Sequence, residues 1–297
     1  MNIEIITARN EHLQENTILH AIASLGYTAE VHECHTIQDL HQTVQRKPHL
    51  AILTLNNIVT EDGEKIWLCE FFKKNNINFT GSDKKALLFD ADTELAKSYL
   101  KEKGISTSRY FIADAEKYLR DYDIPINYPL VVKPARSLQC QEENKCFTVN
   151  SFSEFEKSVS SLSNKYNIPV LIEEYLDGED YLVSIIKTKE DAMLISSAKV
   201  LRSNNGNKKI LENIEDQTIK ESVENLAIDA YIDLGIRDFG QISIRTNQSG
   251  QCFFMRTNLN PDITDKNSSF IETFAAGLNL DYDAIIKHIL QECSKRD

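Results

Sequence analysis

The chain has 297 residues, 41% of them hydrophobic, and a formal net charge of −12. This length allows one large domain or two to three small ones, and the acidic balance argues against a protein whose main task is to neutralise nucleic-acid phosphates. Only 10 residues are glycine, about half the usual share of roughly 7%. Their spacing excludes a G-x-G-x-x-G dinucleotide loop and a Walker A loop.

We expect neither a targeting segment nor a disulfide framework. No stretch has the apolar length of a membrane span or the regions of a signal peptide. The six cysteines are scattered without a C-x-x-C pair, which is typical of reduced thiols. The run His32-Glu33-Cys34-His35 fits no common zinc spacing. We therefore expect a cytoplasmic protein with no metal at this run and no membrane or nucleic-acid partner.

Strand and helix patterns alternate over the first eighty residues. They occur in the order strand, helix, strand, helix, strand at residues 3–7, 13–25, 28–31, 37–44 and 49–55. This alternation predicts a βαβαβ unit with a parallel, Rossmann-like sheet. Asp62 is a candidate N-cap for a following helix through Phe72, and a short strand ends at Gly81.

The rest of the chain predicts mixed short strands and helices. Helical patterns occur at residues 84–89, 93–103, 151–166 and 217–234 and twice more at the C-terminus, and strand patterns at 109–113, 130–135, 146–149, 170–175, 180–187, 192–201, 239–245 and 252–257. The strands at 170–175, 180–187 and 192–201 are consecutive and are predicted to be antiparallel neighbours. A polar turn is predicted at 203–209. We expect three domains, at residues 1–82, 83–169 and 170–297.

Five short blocks occur in a fixed order along the chain. They are Thr80-Gly81-Ser82, the helix from Asp92 to Gly104 with Lys97, Val131-Val132-Lys133-Pro134-Ala135, the acidic run at 171–180, and Asn258-x-x-Pro261. In order and spacing these blocks resemble the ATP-grasp fold, and among its members the D-alanine-D-alanine ligase family. The resemblance begins near Glu61 and extends almost to the C-terminus. It implies an α/β ATP-grasp fold with an N-terminal Rossmann-like domain.

The resemblance also implies a site for ATP or ADP. The residues that match it are Lys97 and Lys133 for the phosphates, Glu173, Glu174 and Leu176 for the adenine, Asp180 for the ribose hydroxyls, Met255 against the adenine face, and Asn258 as a metal ligand. Each has a structural alternative: a strand-end lysine is often a solvated charge, and a methionine in a strand is often core. The shared order of the blocks favours the nucleotide site for Lys133, Glu173 and Asp180.

The positions that match the family's catalytic residues carry different side chains. Gln241 stands where the family has a catalytic arginine, Ser243 replaces a magnesium-binding aspartate, and Arg256 replaces a glutamate that bridges two magnesium ions. Magnesium binding is therefore not expected. The Arg256 guanidinium can take the metal's place beside a phosphate, or it can pair with Glu173 or another acid, and the sequence leaves both interpretations open.

Other conserved elements of the family are also missing. The loop at 136–142 lacks the glycines that cradle phosphates, the turn at 204–206 lacks the family's lysine and tyrosine, Asp262 replaces a glycine, and Asn267 replaces a serine. The N-terminal G-G-x-S-x-E pattern is absent, with Glu11 or Glu15 as candidate substitutes.

These departures favour a non-catalytic or regulatory homologue of D-alanine-D-alanine ligases that retains at most nucleotide binding. One alternative is an active ATP-dependent carboxylate-amine ligase that forms an acyl phosphate from an amino acid or a peptide. Another is an interaction partner of a biosynthetic enzyme, as a homodimer or with a different protein.

Overall fold

The computed structural model describes residues 1–8, 17–113, 118, 120–136, 146–188, 192–202 and 209–293, with the backbone alone at 202, 209 and 292. Several expectations therefore lie outside the described residues. These are the roles of Glu11 and Glu15, the start of the first helix, most of the loop at 136–142, and the polar turn at 203–208.

A three-stranded parallel sheet forms the N-terminal part of the molecule. Its strands are β1 (Asn2–Thr7), β2 (Thr28–Glu33) and β3 (Leu50–Leu53), in the order β2-β1-β3, and the connecting helices are α1 (Thr17–Ser24) and α2 (Ile37–Gln45). Helix α2 begins with a capping box in which the Thr36 and Asp39 side chains bond each other's backbone N–H. The predicted βαβαβ unit is confirmed.

The segment after β3 differs from the prediction. Asp62 lies in the turn of a hairpin between β4 (Asn57–Val59) and β5 (Lys65–Trp67), where its carboxylate accepts a hydrogen bond from the Thr60 hydroxyl. Gly63 in this turn has a φ of 83°, a conformation that glycine adopts readily. The following helix, α3 (Leu68–Lys74), begins after Trp67 with no side-chain cap. The prediction that Asp62 caps this helix is wrong.

A four-stranded antiparallel sheet, with helices on either side of it in the chain, forms the middle of the molecule. The elements are α4 (Lys84–Ala91), α5 (Thr93–Glu102), β6 (Tyr110–Ala113), β7 (Leu130–Pro134), β8 (Phe147–Val149), α6 (Phe152–Tyr166) and β9 (Val170–Glu174), and the strand order is β6-β9-β7-β8. Helix α6 packs its buried Phe155 and Val159 in one cluster with Leu130 and Val132 of β7.

A five-stranded antiparallel sheet forms the C-terminal part. Its order is β12-β11-β10-β13-β14, built from β10 (Asp180–Lys187), β11 (Met193–Arg202), β12 (Lys209–Asn213), β13 (Phe239–Thr246) and β14 (Cys252–Asn258). The helices are α7 (Gln217–Asp233), α8 (Ser269–Leu278) and α9 (Tyr282–Cys293). Helix α7 shares a core cluster with Val183 and Ile242, whereas α8 contacts the opposite face through Thr273.

Strands β9 and β10 follow each other in the chain but belong to different sheets. Strand β9 pairs with β6 and β7, whereas β10 pairs with β11 and β13. The predicted antiparallel pairing of β9 with β10 is wrong, and that of β10 with β11 is confirmed. The domain boundaries at residues 82 and 169 stay predictions. The chain itself leaves the four-stranded sheet after Glu174 and enters the five-stranded sheet at Asp180.

Buried apolar side chains join the N-terminal sheet to the five-stranded sheet, whereas the four-stranded sheet and α6 have a core cluster of their own. One cluster extends from Leu53 of β3 through Leu100 of α5 to Phe254 of β14. A second lies where α1 and α9 meet β1, around Ile5 and Ile289. Among the described residues, no helix is both long and apolar enough to cross a membrane.

Candidate functional site

Three predicted site residues meet in a buried ion-pair cluster. Lys97 Nζ pairs with Glu173 Oε1, and Lys133 Nζ lies 2.5 Å from Glu173 Oε2. The side chains of Lys97 and Glu173 are 0% exposed, and that of Lys133 is 18% exposed. We call Lys97, Glu173 and Lys133 the lysine-glutamate triad. With all three groups ionised it carries one net positive charge, so it attracts anions.

The strand register brings the triad together. Glu173 of β9 lies directly opposite Val131 of β7, two residues before Lys133, so both charged side chains point to the same face of the four-stranded sheet. Lys97 reaches this face from α5, whose first turn is fixed by a hydrogen bond from the Leu95 N–H to the Asp92 carboxylate, 3.1 Å.

Burial and charge act in opposite directions on the triad. Burial by itself raises the pKa of the Glu173 carboxyl, but the charges of Lys133 and Lys97 outweigh burial and lower this pKa to about 2. Burial lowers the pKa of the Lys97 ammonium to about 8, and the Glu173 charge opposes that change. At neutral pH the carboxylate is ionised and most of Lys97 is protonated.

The segment between the two larger sheets is the one for which the family resemblance predicts an adenine-binding hinge, and we call it the hinge. Its first half is bonded to the four-stranded sheet: the Glu174 carboxylate accepts hydrogen bonds from Arg109 N at 2.7 Å and Arg109 Nε at 2.8 Å. Leu176 is buried. The second half is bonded to the end of β13, where Gly178 N donates to Thr246 O at 3.1 Å. A Cβ on Gly178 would lie 2.4 Å from this oxygen, so a larger residue is not accommodated here.

The other predicted site residues lie on the five-stranded sheet. Asp180 begins β10 and forms an ion pair with Arg245 of β13. Met255 is half-buried at a β-bulge of β14, where the pairing register shifts, and Asn258 is exposed at the end of the same strand. These three side chains are not in contact with the triad through any hydrogen bond or ion pair of the described residues.

Arg256 lies exposed on β14, directly opposite Ser243 of β13. The interpretation in which Arg256 pairs with Glu173 does not hold, because Glu173 pairs with Lys97 and Lys133. In the described ranges no carboxylate forms an ion pair with Arg256. Burial raises the pKa of the Asp90 carboxyl and the Arg256 charge opposes this change, so the two groups interact electrostatically, while the Arg256 side chain is exposed to solvent.

Gln241 lies at the centre of a buried network of neutral hydrogen bonds. Its side-chain amide donates to the Ser184 hydroxyl at 3.0 Å and to the Thr273 hydroxyl at 3.3 Å, and its carbonyl oxygen accepts from the Ser269 hydroxyl at 3.0 Å. The residue is 4% exposed. Both N–H donors and the carbonyl oxygen of the Gln241 amide therefore have hydrogen-bond partners within the protein.

The comparison with known protein families agrees with this architecture. A family model described as "D-ala D-ala ligase C-terminus" matches residues 100–291, more than half of the chain. The chain belongs to the D-alanine-D-alanine ligase family. This ligase homologue is 27% identical to the D-alanine-D-alanine ligase of Marinomonas sp. over 255 residues. The matched region covers 82% of this chain and 76% of that protein. It is 24% identical to the D-alanine-D-alanine ligase of Aquifex aeolicus over 281 residues, and this matched region covers 92% of each chain.

Solved structures of ligases share the fold of this homologue. The D-alanine-D-alanine ligase from Bacillus anthracis complexed with ATP superposes with a TM-score of 0.80 at 20% identity, over 99% of this chain and 97% of that one. The VanG D-Ala:D-Ser ligase from Enterococcus faecalis gives a TM-score of 0.73 at 16% identity, over 97% and 98%. The predicted α/β ATP-grasp fold is confirmed.

Sequence reasoning missed residues that support the site of this ligase homologue. Ser108 accepts a hydrogen bond from Lys97 Nζ at 2.5 Å and donates to Glu173 Oε1 at 3.2 Å. Asp90 of α4 accepts hydrogen bonds from Thr257 Oγ1 at 2.7 Å and Leu259 N at 3.1 Å, which fixes the end of β14. Burial raises the pKa of Asp90. No local pattern in the sequence marks these contacts, because Glu173 lies 65 residues from Ser108 and Thr257 lies 167 residues from Asp90.

Proposed function

We propose that this D-alanine-D-alanine ligase-like protein binds an adenine nucleotide without magnesium and does not transfer its phosphoryl group, so that it acts as a non-catalytic or regulatory member of the family. The observation that carries the proposal is the neutral network around Gln241. Phosphoryl transfer depends almost entirely on positioning and on charges that stabilise the phosphate oxygens. A satisfied, uncharged amide at the position of the family's catalytic arginine supplies no such charge.

The side chains at the family's magnesium position do not fit that ion. Mg²⁺ is held in proteins by carboxylates together with phosphate oxygens and water, whereas this face offers the Ser243 hydroxyl, the Asn258 amide and the Arg256 guanidinium. A unit positive charge about 4 Å from a divalent cation is repelled by on the order of 8 kcal/mol in a partly screened site. Among the described residues, three potential ligands converge only at Glu4, Glu30 and His32, in the N-terminal sheet.

Two features support nucleotide binding. The triad offers net positive charge and a lysine that is partly exposed, and Asp180 carries an acceptor for ribose hydroxyls at the other end of the hinge. The Bacillus anthracis ligase that shares this fold was solved in complex with ATP. In our proposal the nucleotide lies along the hinge, with its phosphates toward Lys133, Lys97 and Arg256.

The first prediction concerns magnesium. We expect ADP and ATP to raise the melting temperature equally well in EDTA and in excess magnesium, because Arg256 replaces the metal's charge at the phosphates. Arg256→Ala is expected to weaken ADP binding about tenfold or more, since a charge-assisted hydrogen bond contributes about 1.5–3 kcal/mol. Titration calorimetry of ADP in EDTA measures this loss. Arg120→Ala, at another exposed arginine, is the matched control and should bind as the wild type does.

Other outcomes would replace the proposal. Nucleotide binding that requires magnesium, or that is unchanged in Arg256→Ala, contradicts the metal-substitute role. Release of ADP on addition of amino acids or peptides would establish the alternative, an active carboxylate-amine ligase. Absence of any nucleotide binding would favour an interaction partner of a biosynthetic enzyme. The expected dimer and the cytoplasmic location stay predictions.

A further inference from the structure

Arg245 and Asp180 face each other on neighbouring strands. They are a direct cross-strand pair of β13 and β10, and Arg245 Nη1 lies 3.3 Å from Asp180 Oδ1 and 3.4 Å from Oδ2. The arginine side chain is 19% exposed and the aspartate 30% exposed. The carboxylate is therefore accessible from solvent while the guanidinium that holds it is mostly buried.

The Arg245 guanidinium is also held from the side of the hinge. Its Cζ lies 5.2 Å from the centroid of the Tyr175 ring, within the range of a cation-π interaction. Its Nε is buried and has no hydrogen-bond partner among the described residues. The position of the guanidinium is thus fixed by the Tyr175 ring on the segment that connects the two sheets and by the Asp180 carboxylate at the start of β10.

Hydrogen bonds of the residue after Arg245 fix the register of the Arg245–Asp180 pair. Thr246 follows Arg245, and its hydroxyl accepts a hydrogen bond from Glu179 N at 2.9 Å. Thr246 N donates to Glu179 O at 3.0 Å. Because Glu179 precedes Asp180, these bonds hold the start of β10 in register with the end of β13.

We propose that Arg245 is a positioning residue, which orients the Asp180 carboxylate toward the 2′ and 3′ hydroxyls of a bound ribonucleotide and so makes the site selective for an unmodified ribose. This inference rests on the proposed nucleotide site. A carboxylate has about four lone-pair directions, so pairing with one guanidinium nitrogen does not by itself use up its capacity to accept hydrogen bonds. The charges of the pair cancel, which removes any net attraction for a phosphate on the ribose.

The test compares the affinities of ADP, 2′-deoxy-ADP and 3′-deoxy-ADP by titration calorimetry. For the wild type we expect ADP to bind about tenfold more tightly than either deoxy form, since each loses one hydrogen bond to a charged acceptor. In Arg245→Met the ratio is expected to fall to about twofold, while ADP still binds through the triad. Asp180→Asn should lower the ratio in the same way, and Arg120→Ala should leave it unchanged.

If Arg245 had a purely structural role, Arg245→Met would weaken the binding of ADP and of the deoxy nucleotides equally. An unchanged ratio of affinities in Arg245→Met therefore overturns the inference. If the wild type binds ADP without ribose discrimination, the inference fails and the proposed function stands. If the wild type binds no nucleotide, both fail. If Arg245→Met loses its cooperative unfolding transition, Tyr175→Leu serves as a second variant. Tyr175 is more exposed than Arg245, and its replacement removes the ring that positions the guanidinium. Tyr175→Leu is also expected to lower the affinity ratio of ADP to the deoxy nucleotides.

Discussion

Replacing Glu173 with glutamine is expected to lower the free energy of unfolding by about 3–5 kcal/mol. The substitution keeps the side-chain volume but removes the carboxylate that both lysines of the triad share. Lys97 is 0% exposed, so its ammonium would be left buried with no opposite charge in the triad. Urea unfolding followed by circular dichroism measures the loss.

The neighbouring Glu174 supplies the matched control for this prediction. Its partner Arg109 is 66% exposed, and an ion pair of this kind contributes about 1 kcal/mol or less, so Glu174→Gln should have a small effect. The double variant Lys97→Met/Glu173→Gln should lose less unfolding free energy than the two single variants lose together, because it removes both charges of one ion pair. Equal losses in Glu173→Gln and Glu174→Gln would show that the triad contributes no special stability.

The stability contributed by Glu173 is expected to depend on pH in the acid range. Its pKa is lowered from 4.5 to about 2 in the folded protein, so the unfolded state binds more protons between these values and stability falls as the pH falls. The contribution is complete above about pH 4.5 and is lost toward pH 2. The difference in unfolding free energy between wild type and Glu173→Gln should therefore narrow over this interval, and a constant difference from pH 6 to pH 3 would contradict it.

Introducing arginine at position 241 is expected to destabilise the protein by about 3 kcal/mol or more. The described partners of Gln241 are hydroxyl groups of Ser184, Thr273 and Ser269, and none of them can neutralise a buried guanidinium. The arginine side chain is also longer than that of glutamine, and α8 lies close to the neighbouring strand β11, since a Cβ on Gly277 would clash with Ser196 Oγ. Thermal and urea unfolding measure the effect.

Gln241→Met is the control for this second prediction. It has a similar volume and adds no charge, so it should lower the free energy of unfolding by about 1–3 kcal/mol for the hydrogen bonds that it removes.

The family's arginine, aspartate and glutamate are not expected to confer ligase activity when introduced together at positions 241, 243 and 256. Wild-type stability of Gln241→Arg, or ADP formation by the triple variant with amino acids and magnesium, would show that the network does not preclude catalysis.

Local sequence patterns were sufficient for much of the fold. The alternation of short apolar strand runs with helical patterns predicts the parallel N-terminal sheet, whose strands β1 and β3 are buried on both faces. The Thr60–Glu64 turn was misassigned because aspartate and threonine are favoured both at helix N-caps and in turns. The separation of β9 from β10 could not be predicted, since it depends on pairing with β7 and β13, which lie far away in the chain.

The site was predictable only where a residue matched a family block. Lys97, Lys133 and Glu173 each match such a block, and the structure places both lysines in contact with Glu173. Their binding of a nucleotide stays a prediction. The substitution at Gln241 was visible in the sequence, but its hydroxyl partners Ser184 and Thr273 lie 57 and 32 residues away. Arg245 was missed because its pairing with Asp180 follows from strand register rather than from local pattern.

The close contact between Gly178 and Thr246 has a mechanical consequence. It attaches the second half of the hinge to the five-stranded sheet, while the Tyr175 N–H is bonded to Pro129 O beside the four-stranded sheet. Only a few residues around Leu176 separate these two attachments in the chain, and the buried Lys97–Glu173 ion pair is a second link between the sheets, since Lys97 lies on α5, which packs against β14. Glu173 and Lys133 belong to one sheet and Asp180, Arg245 and Arg256 to the other, so a ligand that contacted both groups would favour the one angle between the sheets at which both contacts form.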